Sequence, residues 1–428
     1  MSIRPIFMAS AVVLCMVGLC ASSAQDSGRV IHLSDSSGLY QSSLKGDQAQ
    51  LLQVANTASD GPHIVAKALY ERSIYQLDES SKTVSACADP SQIAHSTANW
   101  SCALILAGNK LLAGDVAGWA RLMDITKKTV TPILAAHLHA GPNDLHIAEF
   151  ETVPNFSKFF DFPAISVQRS AGDFSIPIDW IPTKDSSDSI QPFISVSING
   201  HSLRMALDTG TSGVILSQSD ASSLKVSDIH HGWASTSQGQ PTDLGVIKDM
   251  TIGKLHISNM PTTITESPVS VLGIRGMQFL GAIRVHGDVL YSNAGGFGDS
   301  CKTPMDMASW VEGSNNALLV PGHVGDESLH FFLDSGNAWS VIRHTFGSPS
   351  DADHAKPISL TVGGVARPVY VSEARDTMQI GDLPPAYQDY KTVYSDQHTR
   401  FRYDIGGSFL HQHDLIIDFN HGVMCIAK

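Results

Sequence analysis

The distribution of apolar and polar residues divides the chain into two parts with different patterns. Between about residues 27 and 130, apolar residues recur at spacings of three and four, the period of amphipathic helices. Two such series are Ala66, Leu69, Tyr70, Ser73, Ile74 and Leu77, and then Leu104, Leu111, Leu112, Val116, Trp119, Leu122 and Met123. Gly114 and Asp115 interrupt the second series, which therefore predicts two helices joined by a tight turn.

The second helical series is similar to one tetratricopeptide-type repeat. The similarity covers residues 108–120, where small residues would let two helices approach closely. A solenoid needs about three repeats to bury its core, and the chain offers one such unit. A packed helical domain without a repeat array is therefore an equal alternative.

From about residue 131 the pattern changes to short apolar runs broken by Gly, Pro, Asn and Asp, which is typical of strands. The runs in question are 165–167, 174–180, 193–196, 203–207, 214–216 and 414–419. The polar tract 183–189 predicts a loop, and Asn199-Gly200 predicts a tight hairpin. We expect this all-β character to continue to the end of the chain.

Two similar segments lie within the β part. In each, three apolar residues precede an acid, a short turn follows, and an apolar strand comes next. The first turn is Asp208-Thr209-Gly210-Thr211, and the second is Asp334-Ser335-Gly336-Asn337. Each is followed at a similar distance by a glycine after an apolar pair or its near equivalent, Gly273 in the first copy and Gly406 in the second. The two copies predict a duplicated β unit.

A pair of carboxyls suits the hydrolysis of an unactivated amide, which needs a base for the water and an acid for the carbonyl oxygen or leaving nitrogen. Two carboxyls a few ångströms apart cannot both ionise, so one pKa rises and the pair shares a proton. Gly210 and Gly336 would let the backbone turn and offer an N–H to the carboxylates. Thr209 and Ser335 would supply hydroxyls that brace the two loops.

The duplicated motif resembles the aspartic peptidases of the pepsin and retropepsin superfamily, most closely bacterial retropepsin-like proteins with two lobes in one chain. The resemblance covers roughly residues 165–428 and implies Asp208 and Asp334 as the catalytic dyad. It also implies that Thr211 donates a hydroxyl to its aspartate. Gly273 and Gly406 are expected to be structural, allowing close backbone approach behind the acids.

Asn337 departs from this pattern, since Ser or Thr is usual at its position. An asparagine retains an N–H donor, but its bulk could tilt Asp334 and puts full activity in doubt. A mobile hairpin that closes over substrate is a further expectation from the sequence, with an ordinary surface hairpin as the alternative. Its candidate residues are Trp233, Ser235, Thr236 and Gly239.

Composition excludes several other classes of function. The chain of 428 residues carries 28 Lys and Arg against 41 Asp and Glu, a net charge of −13, and no basic run that would bind nucleic acid or anionic lipid. No Gly-x-Ser-x-Gly element indicates a serine hydrolase. Histidines with ligand-like spacing are interpreted as structural or surface residues, so we expect no metal and no cofactor. They are His137, His139 and His146, and then His411, His413 and His421.

The amino terminus has the layout of a cleavable export signal. Arg4 precedes an apolar stretch at residues 6–20, and small residues follow up to Ala24, where we expect cleavage. The stretch is shorter than the roughly 20 residues that span a bilayer, which disfavours a permanent anchor. A lipoprotein signal would acylate Cys20, but Leu19 stands where that signal requires Gly or Ala. We therefore expect a periplasmic or secreted protein with no integral membrane segment.

Export makes disulfides favourable, and four cysteines follow the signal. Of the three pairings, we favour Cys87 with Cys102 and Cys301 with Cys425, because each bridge then stays inside one candidate domain. Four buried thiols are the alternative. No two of these cysteines have CxxC spacing, so a zinc or redox centre is disfavoured.

Together these features predict an α+β multidomain protein, a helical domain followed by an all-β, bilobal module of the pepsin or retropepsin type. The expected boundaries are a signal peptide at 1–24, a helical domain at 25–130, a β linker at 131–189, and lobes at 190–312 and 313–428.

Two functions follow. The first is an aspartic endopeptidase acting on peptide or protein substrates, with the helical domain holding a substrate or partner. The second is a peptide-binding module of the same fold whose dyad has lost activity.

Overall fold

The computed structural model describes residues 38–58, 60–88, 97–137, 139, 150, 153, 155–170, 172–183, 189–235, 241–349, 354–362, 365–396 and 399–427. The expected signal peptide and most of the polar tract at 183–189 lie outside these residues.

The amino-terminal part is helical. Its helices are α1 (Leu39–Lys45), α2 (Gln48–Thr57), α3 (Asp60–Ser73), α4 (Leu77–Ser85), α5 (Thr97–Leu112), α6 (Val116–Ile125) and α7 (Thr131–His137). Consecutive helices from α1 to α6 pack against each other. The predicted helix–turn–helix is α5 and α6, joined at Gly114, whose φ of 85° suits glycine. Asp115 caps α6 by accepting a hydrogen bond from the Gly118 N–H at 2.7 Å. The resemblance to a tetratricopeptide repeat stays a prediction.

Helix extends further along the chain than the sequence pattern predicts. A π-helical turn, Thr126–Val130, leads from α6 into α7, and a 3₁₀ turn follows at Phe156–Phe159. The expectation of β structure from residue 131 was therefore wrong for this stretch. Val130 and Leu134 are buried in the helical core, and this packing overrides the strand preference of the local residues.

The β part contains all five of the strands predicted early in it, in slightly longer form. They are β1 (Ser166–Arg169), β2 (Phe174–Pro182), β3 (Ile190–Ile198), β4 (His201–Leu207) and β5 (Val214–Ser217). Asn199 and Gly200 join β3 to β4 with φ values of 49° and 80°, as the hairpin signal predicts.

Further strands and short helices complete this part. The strands are β6 (Ser227–Ser235), β7 (Pro241–Ile252), β8 (Leu255–Thr265), β9 (Val271–Leu272), β10 (Ala282–His286), β11 (Val289–Asn293), β12 (Asp306–Ser309), β13 (Asn316–Val324), β14 (Glu327–Leu333), β15 (Val341–Phe346), β16 (Lys356–Val362), β17 (Val365–Ile380), β18 (Ala386–Ser395), β19 (Tyr403–Ile405), β20 (Asp414–Asp418) and β21 (Val423–Ala427). The helices are α8 (Gln218–Ser223), α9 (Ile274–Met277) and α10 (Gly407–Leu410), with 3₁₀ turns at Gln278–Leu280 and Gly298–Ser300.

One strand order occurs twice. The first β unit has the order β3-β4-β9-β5-β8-β7, and the second β unit has the order β13-β14-β19-β15-β18-β17. Strand directions also correspond, because β4 runs parallel to β9 as β14 does to β19, and β5 runs parallel to β8 as β15 does to β18. The duplication inferred from the two acidic turns thus extends to the whole topology.

Strands that follow each unit join into one sheet. β10 pairs antiparallel with β20, while β11 and β21 flank them on either side. The main core contains residues from both units, including Leu207, Ile283, Leu333 and Ile417. Both acidic turns therefore lie above a continuous apolar core.

The helices share their core with the β part. Trp100 and Trp119 lie in one buried cluster with Leu244 and Val246 of β7 and with Val311. The helical part is therefore packed onto the sheets.

Two disulfides are present, Cys87–Cys102 and Cys301–Cys425, the pairing favoured from the sequence. Of the helices described, none has the length and apolar character needed to cross a membrane.

Candidate active site

Asp208 and Asp334 occupy equivalent positions at the ends of β4 and β14. Each backbone N–H donates to the carbonyl at the end of the neighbouring parallel strand, Asp208 to Leu272 at 3.1 Å and Asp334 to Ile405 at 2.9 Å. The apolar residues before each acid bury the strand and fix where it ends. The two strands thus present their acids in the same way.

Gly273 and Gly406 follow those parallel strands and contact the acidic turns. A Cβ at Gly273 would lie 2.3 Å from the Thr211 carbonyl oxygen, and a Cβ at Gly406 would lie 2.5 Å from the Asn337 carbonyl oxygen. Neither position has room for a side chain. The structure thus places these two glycines in close backbone contact behind the acids.

Thr209 and Ser335 link the two turns across the boundary between the units. The Thr209 N–H donates to Ser335 Oγ at 2.9 Å, and the Ser335 N–H donates to Thr209 Oγ1 at 3.0 Å. Each hydroxyl also donates across the boundary, Thr209 to the Leu333 carbonyl at 2.9 Å and Ser335 to the Leu207 carbonyl at 2.7 Å. This reciprocal set, the loop brace, fixes one acid relative to the other.

The two acids are near neighbours, because a hydrogen bond from the Asp334 carboxyl is one of the effects that lower the pKa of Asp208. Both side chains are buried, Asp208 at 1% and Asp334 at 0% exposure. Gly336 lies directly against the first acid, since a Cβ there would be 2.5 Å from Asp208 Cγ. A hydrogen bond between two carboxyls requires that one of them carries the proton.

Asp208 is held by groups from both turns. Its Oδ1 accepts from the Gly210 N–H at 2.8 Å and its Oδ2 from Thr211 Oγ1 at 2.7 Å. Burial raises the pKa of Asp208, and hydrogen bonds from Thr211, Gly210, Asp334 and the Gly336 backbone oppose that rise. Desolvation outweighs the donors, so the first proton is retained to higher pH than in a free carboxyl.

Asp334 has a different setting because of Asn337. The Asn337 N–H donates to Asp334 Oδ1 at 3.2 Å. The side-chain oxygen of Asn337 accepts from the Trp339 N–H at 3.0 Å, while its buried amide nitrogen has no hydrogen-bond partner among the residues that the structure describes. The asparagine therefore does not reproduce the hydroxyl donation that Thr211 makes to Asp208.

Gln191 and Asn316 support the turns and were missed by the sequence analysis. Gln191 is the second residue of β3, and Asn316 is the first residue of β13. Gln191 donates to the Gly336 carbonyl, and the Asn316 N–H donates to Ser212 Oγ at 2.8 Å. Neither belongs to a motif, so no signal in the sequence marks them.

An apolar cavity lies behind the loop brace. Its lining includes Leu207, Met277, Leu410 and Leu415 together with Thr209. A low-dielectric surrounding of this kind strengthens the hydrogen bonds of the brace and disfavours two charged carboxylates.

Of the candidate hairpin residues, Trp233 and Ser235 lie in β6, which pairs with β7. Thr236 and Gly239 lie outside the described residues. The mobile hairpin that closes over substrate therefore stays a prediction.

The histidines with ligand-like spacing are dispersed. His413 stacks on Phe409 and His421 contacts Asp418 at 2.8 Å, while His146 lies outside the described residues. Within the described part of the chain, no three His, Cys, Asp or Glu side chains group together so that they could hold a metal.

Comparison with known proteins gives two findings. A family model described as aspartyl protease matches residues 194–279, which include Asp208 and Gly273. A crystal structure of a retropepsin-like aspartic protease from Rickettsia conorii is 18% identical, covering 30% of this chain and 92% of that one, with a TM-score of 0.23. A structural likeness at that score carries no argument. No curated protein matches the chain. The family match supports an aspartic-protease type of function in general.

Proposed function

We propose that the protein is an aspartic endopeptidase in which Asp208 and Asp334 activate a water molecule for attack on a peptide bond. The observation that carries this proposal is the loop brace, which holds two buried acids from different β units next to each other. An acidic turn with only a local structural role would not need to contact the corresponding turn of the other β unit.

The roles of the two acids follow from their hydrogen bonds. Burial raises the pKa of Asp208, but the hydrogen bonds from Gly210 and Thr211 oppose this rise, so when the pair holds a single proton we assign Asp208 as the ionised acid, which takes the proton from water. Asp334 carries the shared proton and passes it to the carbonyl oxygen of the substrate. As the C–N bond of the tetrahedral intermediate breaks, Asp208 gives its proton to the leaving nitrogen and Asp334 takes a proton back from a hydroxyl of the intermediate, which restores the starting state. The loop brace keeps the acids at a fixed separation throughout.

The remaining assignments belong to the same proposal. The substrate is a peptide or protein, and the lobes extend over residues 190–312 and 313–428. The protein acts in the periplasm or outside the cell, because its two disulfides are suited to an oxidising compartment.

A cleavage assay with casein or a peptide library, run from acidic to neutral pH with and without pepstatin, tests the proposal. Asp208→Asn and Asp334→Asn should each lower cleavage by about 10²–10⁴-fold, the contribution of general acid–base catalysis. Asp179→Asn, an equal change on the exposed side of β2, should cleave as the wild type does. Cleavage that persists in both dyad variants would exclude the mechanism.

A second function is favoured by one observation, the buried amide nitrogen of Asn337, for which the described part of the chain offers no hydrogen-bond partner. If this residue leaves Asp334 poorly placed, the protein binds peptides without cleaving them. Calorimetry would measure peptide binding by the wild type, and a cleavage assay would follow the same peptides. Binding without cleavage would support this function over the peptidase.

A further inference from the structure

We propose that the helical part positions the acidic turn of Asp208, and that Arg72 is a positioning residue for the proposed peptidase. The connection runs through residues 310–316, here called the linking segment, which follow β12 and end at the first residue of β13. This inference rests on the proposed function for its catalytic consequence, while its structural content can be tested separately.

Arg72 of α3 fastens the linking segment to the helices. Its guanidinium donates to the Val311 carbonyl at 2.7 Å and the Trp310 carbonyl at 3.2 Å, and also to Asn109 Oδ1 at 2.7 Å. The side chain is fully buried, and this burial lowers the pKa of Arg72 to about 9. The N–H groups of this buried, positively charged side chain donate to backbone carbonyls. Removing or shortening the side chain therefore destabilises the protein, because those carbonyls lose their hydrogen bonds.

Helices α5 and α6 contact the same segment. A Cβ at Gly108 would lie 2.4 Å from the Val311 carbonyl oxygen, so the absence of a side chain there sets the close approach. Gly313 meets Gly108 from the other side, where a Cβ would lie 2.5 Å from the Gly108 carbonyl oxygen. The Trp119 indole N–H donates to the Glu312 carbonyl at 3.2 Å. Three helices therefore fix the segment.

The linking segment in turn holds the acidic turn. Asn316 donates its side-chain amide to the Gly313 carbonyl at 3.1 Å, which keeps the segment folded on itself. The Asn316 N–H donates to Ser212 Oγ at 2.8 Å, and Ser212 Oγ donates back to the Asn316 carbonyl at 3.3 Å. Ser212 follows Thr211, whose hydroxyl donates to Asp208.

A second route from the helices ends at the same serine. Tyr75 donates to Gln278 Oε1 at 2.6 Å, and Gln278 donates to the Leu112 carbonyl at 2.7 Å and the Arg275 carbonyl at 3.0 Å. Arg275 then donates from Nε to the Ser212 carbonyl at 3.1 Å. Both routes end at Ser212, directly after the acidic turn. If the helical part only covered and stabilised the β part, two separate routes to the same residue would not be needed.

The other acidic turn is held from β3 and not from the linking segment. Gln191 donates to the Gly336 carbonyl, and the Ile190 N–H donates to the Ala338 carbonyl at 2.9 Å, both from β3. A disturbance of the linking segment should therefore loosen the Asp208 turn and leave the Asp334 turn in place.

Hydrogen exchange on the full-length protein tests this, using Gly108→Ala and Arg72→Lys. The alanine suits a helix but pushes the linking segment away, and the lysine keeps the charge but reaches fewer carbonyls. Arg121→Lys is the matched control, because Arg121 also donates to a carbonyl, that of Phe160, in the helical part. We expect exchange at residues 208–216 to rise about tenfold in both variants, the loss of one or two buried hydrogen bonds. Residues 334–342 should exchange as in the wild type, and so should the control throughout.

Faster exchange confined to the helices and the linking segment, with 208–216 unchanged, would overturn the inference and leave a stabilising role. Cleavage assays measure the catalytic effect of Gly108→Ala and Arg72→Lys. In both variants kcat should fall about tenfold with KM unchanged, because the turn acts on the reacting atoms and not on the rest of the substrate. If the wild type cleaves nothing, the peptidase proposal fails, while the exchange result still decides whether the helices position the turn.

Discussion

Thr209 and Ser335 each donate a backbone N–H to the other's hydroxyl, at 2.9 and 3.0 Å, from two different β units. Each hydroxyl therefore both accepts and donates across the boundary, and the removal of either one leaves buried groups without partners. The separation of the acids is set by this exchange and not by a flexible hinge.

Ser335→Ala tests the loop brace. The variant loses the acceptor for Thr209 N–H and the donor to Leu207, so the free energy of unfolding should fall by about 2–4 kcal/mol. Urea unfolding measures this. The control Ser222→Ala removes an exposed hydroxyl that bonds only within its own helix, and it should change stability by less than about 0.5 kcal/mol. Equal stabilities of the two variants would contradict a structural role for the brace.

Gly336→Ala should separate the acids. The new methyl group would lie 2.5 Å from Asp208 Cγ, so the carboxyl must move, and displacement of a catalytic group by about 1 Å lowers rates about 10²-fold. The measurement is kcat/KM on a cleavable peptide. Gly295→Ala is the matched control, because its nearest neighbour would be an Asn293 oxygen at 3.6 Å. Full activity in Gly336→Ala would refute the placement of the turns.

Asn337→Thr should raise activity and alter its pH dependence. The threonine removes a buried amide nitrogen that donates to no described group, and it supplies a hydroxyl for Asp334, as Thr211 does for Asp208. Donation to the charged form lowers a carboxyl pKa, so the acidic limb of the kcat/KM profile should move to lower pH. A pH profile of both proteins measures the shift. An unchanged limb would mean that the residue at 337 does not influence Asp334.

Asp208→Asn should change how stability depends on pH. Because burial raises the pKa of Asp208, the stability that its protonated form contributes is fully present below the unfolded pKa of about 3.9. That contribution is lost as the pH rises through the higher folded value. The asparagine in Asp208→Asn does not ionise, so the variant does not lose stability in this way as the pH rises.

Urea unfolding near pH 3 and about pH 7 measures the difference. Between these conditions the variant should gain stability relative to the wild type, whereas Asp179→Asn should follow the wild type at both. A parallel pH dependence in Asp208→Asn and the wild type would show that Asp208 ionises as freely as an exposed carboxyl.

The two disulfides should differ in their contribution to stability. Cys301 and Cys425 are 124 residues apart, and Cys87 and Cys102 are 15 apart. By chain entropy the long bridge contributes about 4.7 kcal/mol and the short one about 3 kcal/mol. Replacing each pair by alanine and measuring unfolding in denaturant gives both values. A larger loss from the short pair would show that native-state strain or residual structure outweighs loop closure.

The acids and their immediate partners could be recognised from the sequence, because the pattern that marks them is local. Three apolar residues, an acid and a small residue appear in each copy, and Gly273 and Gly406 mark where the chain returns behind them. The contacts of Gln191 and Asn316 could not be predicted in this way, since each depends on how one unit lies against the other.

The start of the β part was also placed wrongly, for a physical reason. Thr129, Val130 and Thr131 favour a strand by themselves, and Pro132 suggests a break. In the structure a π-helical turn carries the helix through this stretch, and Val130 is buried among the other helices. The docking of α3 through Arg72 was equally hidden, because a buried arginine looks like a surface residue until its carbonyl partners are known.

The bridge between Cys301 and Cys425 spans the linking segment at 310–316, with one cysteine on each side of it. β10 and β20 hold the same two portions of the chain together through backbone pairing. A protease that nicked the molecule in this segment would therefore produce two fragments that remain one particle, separable only after reduction and unfolding. On a reducing gel such a sample would look degraded, while in solution its two fragments would stay together.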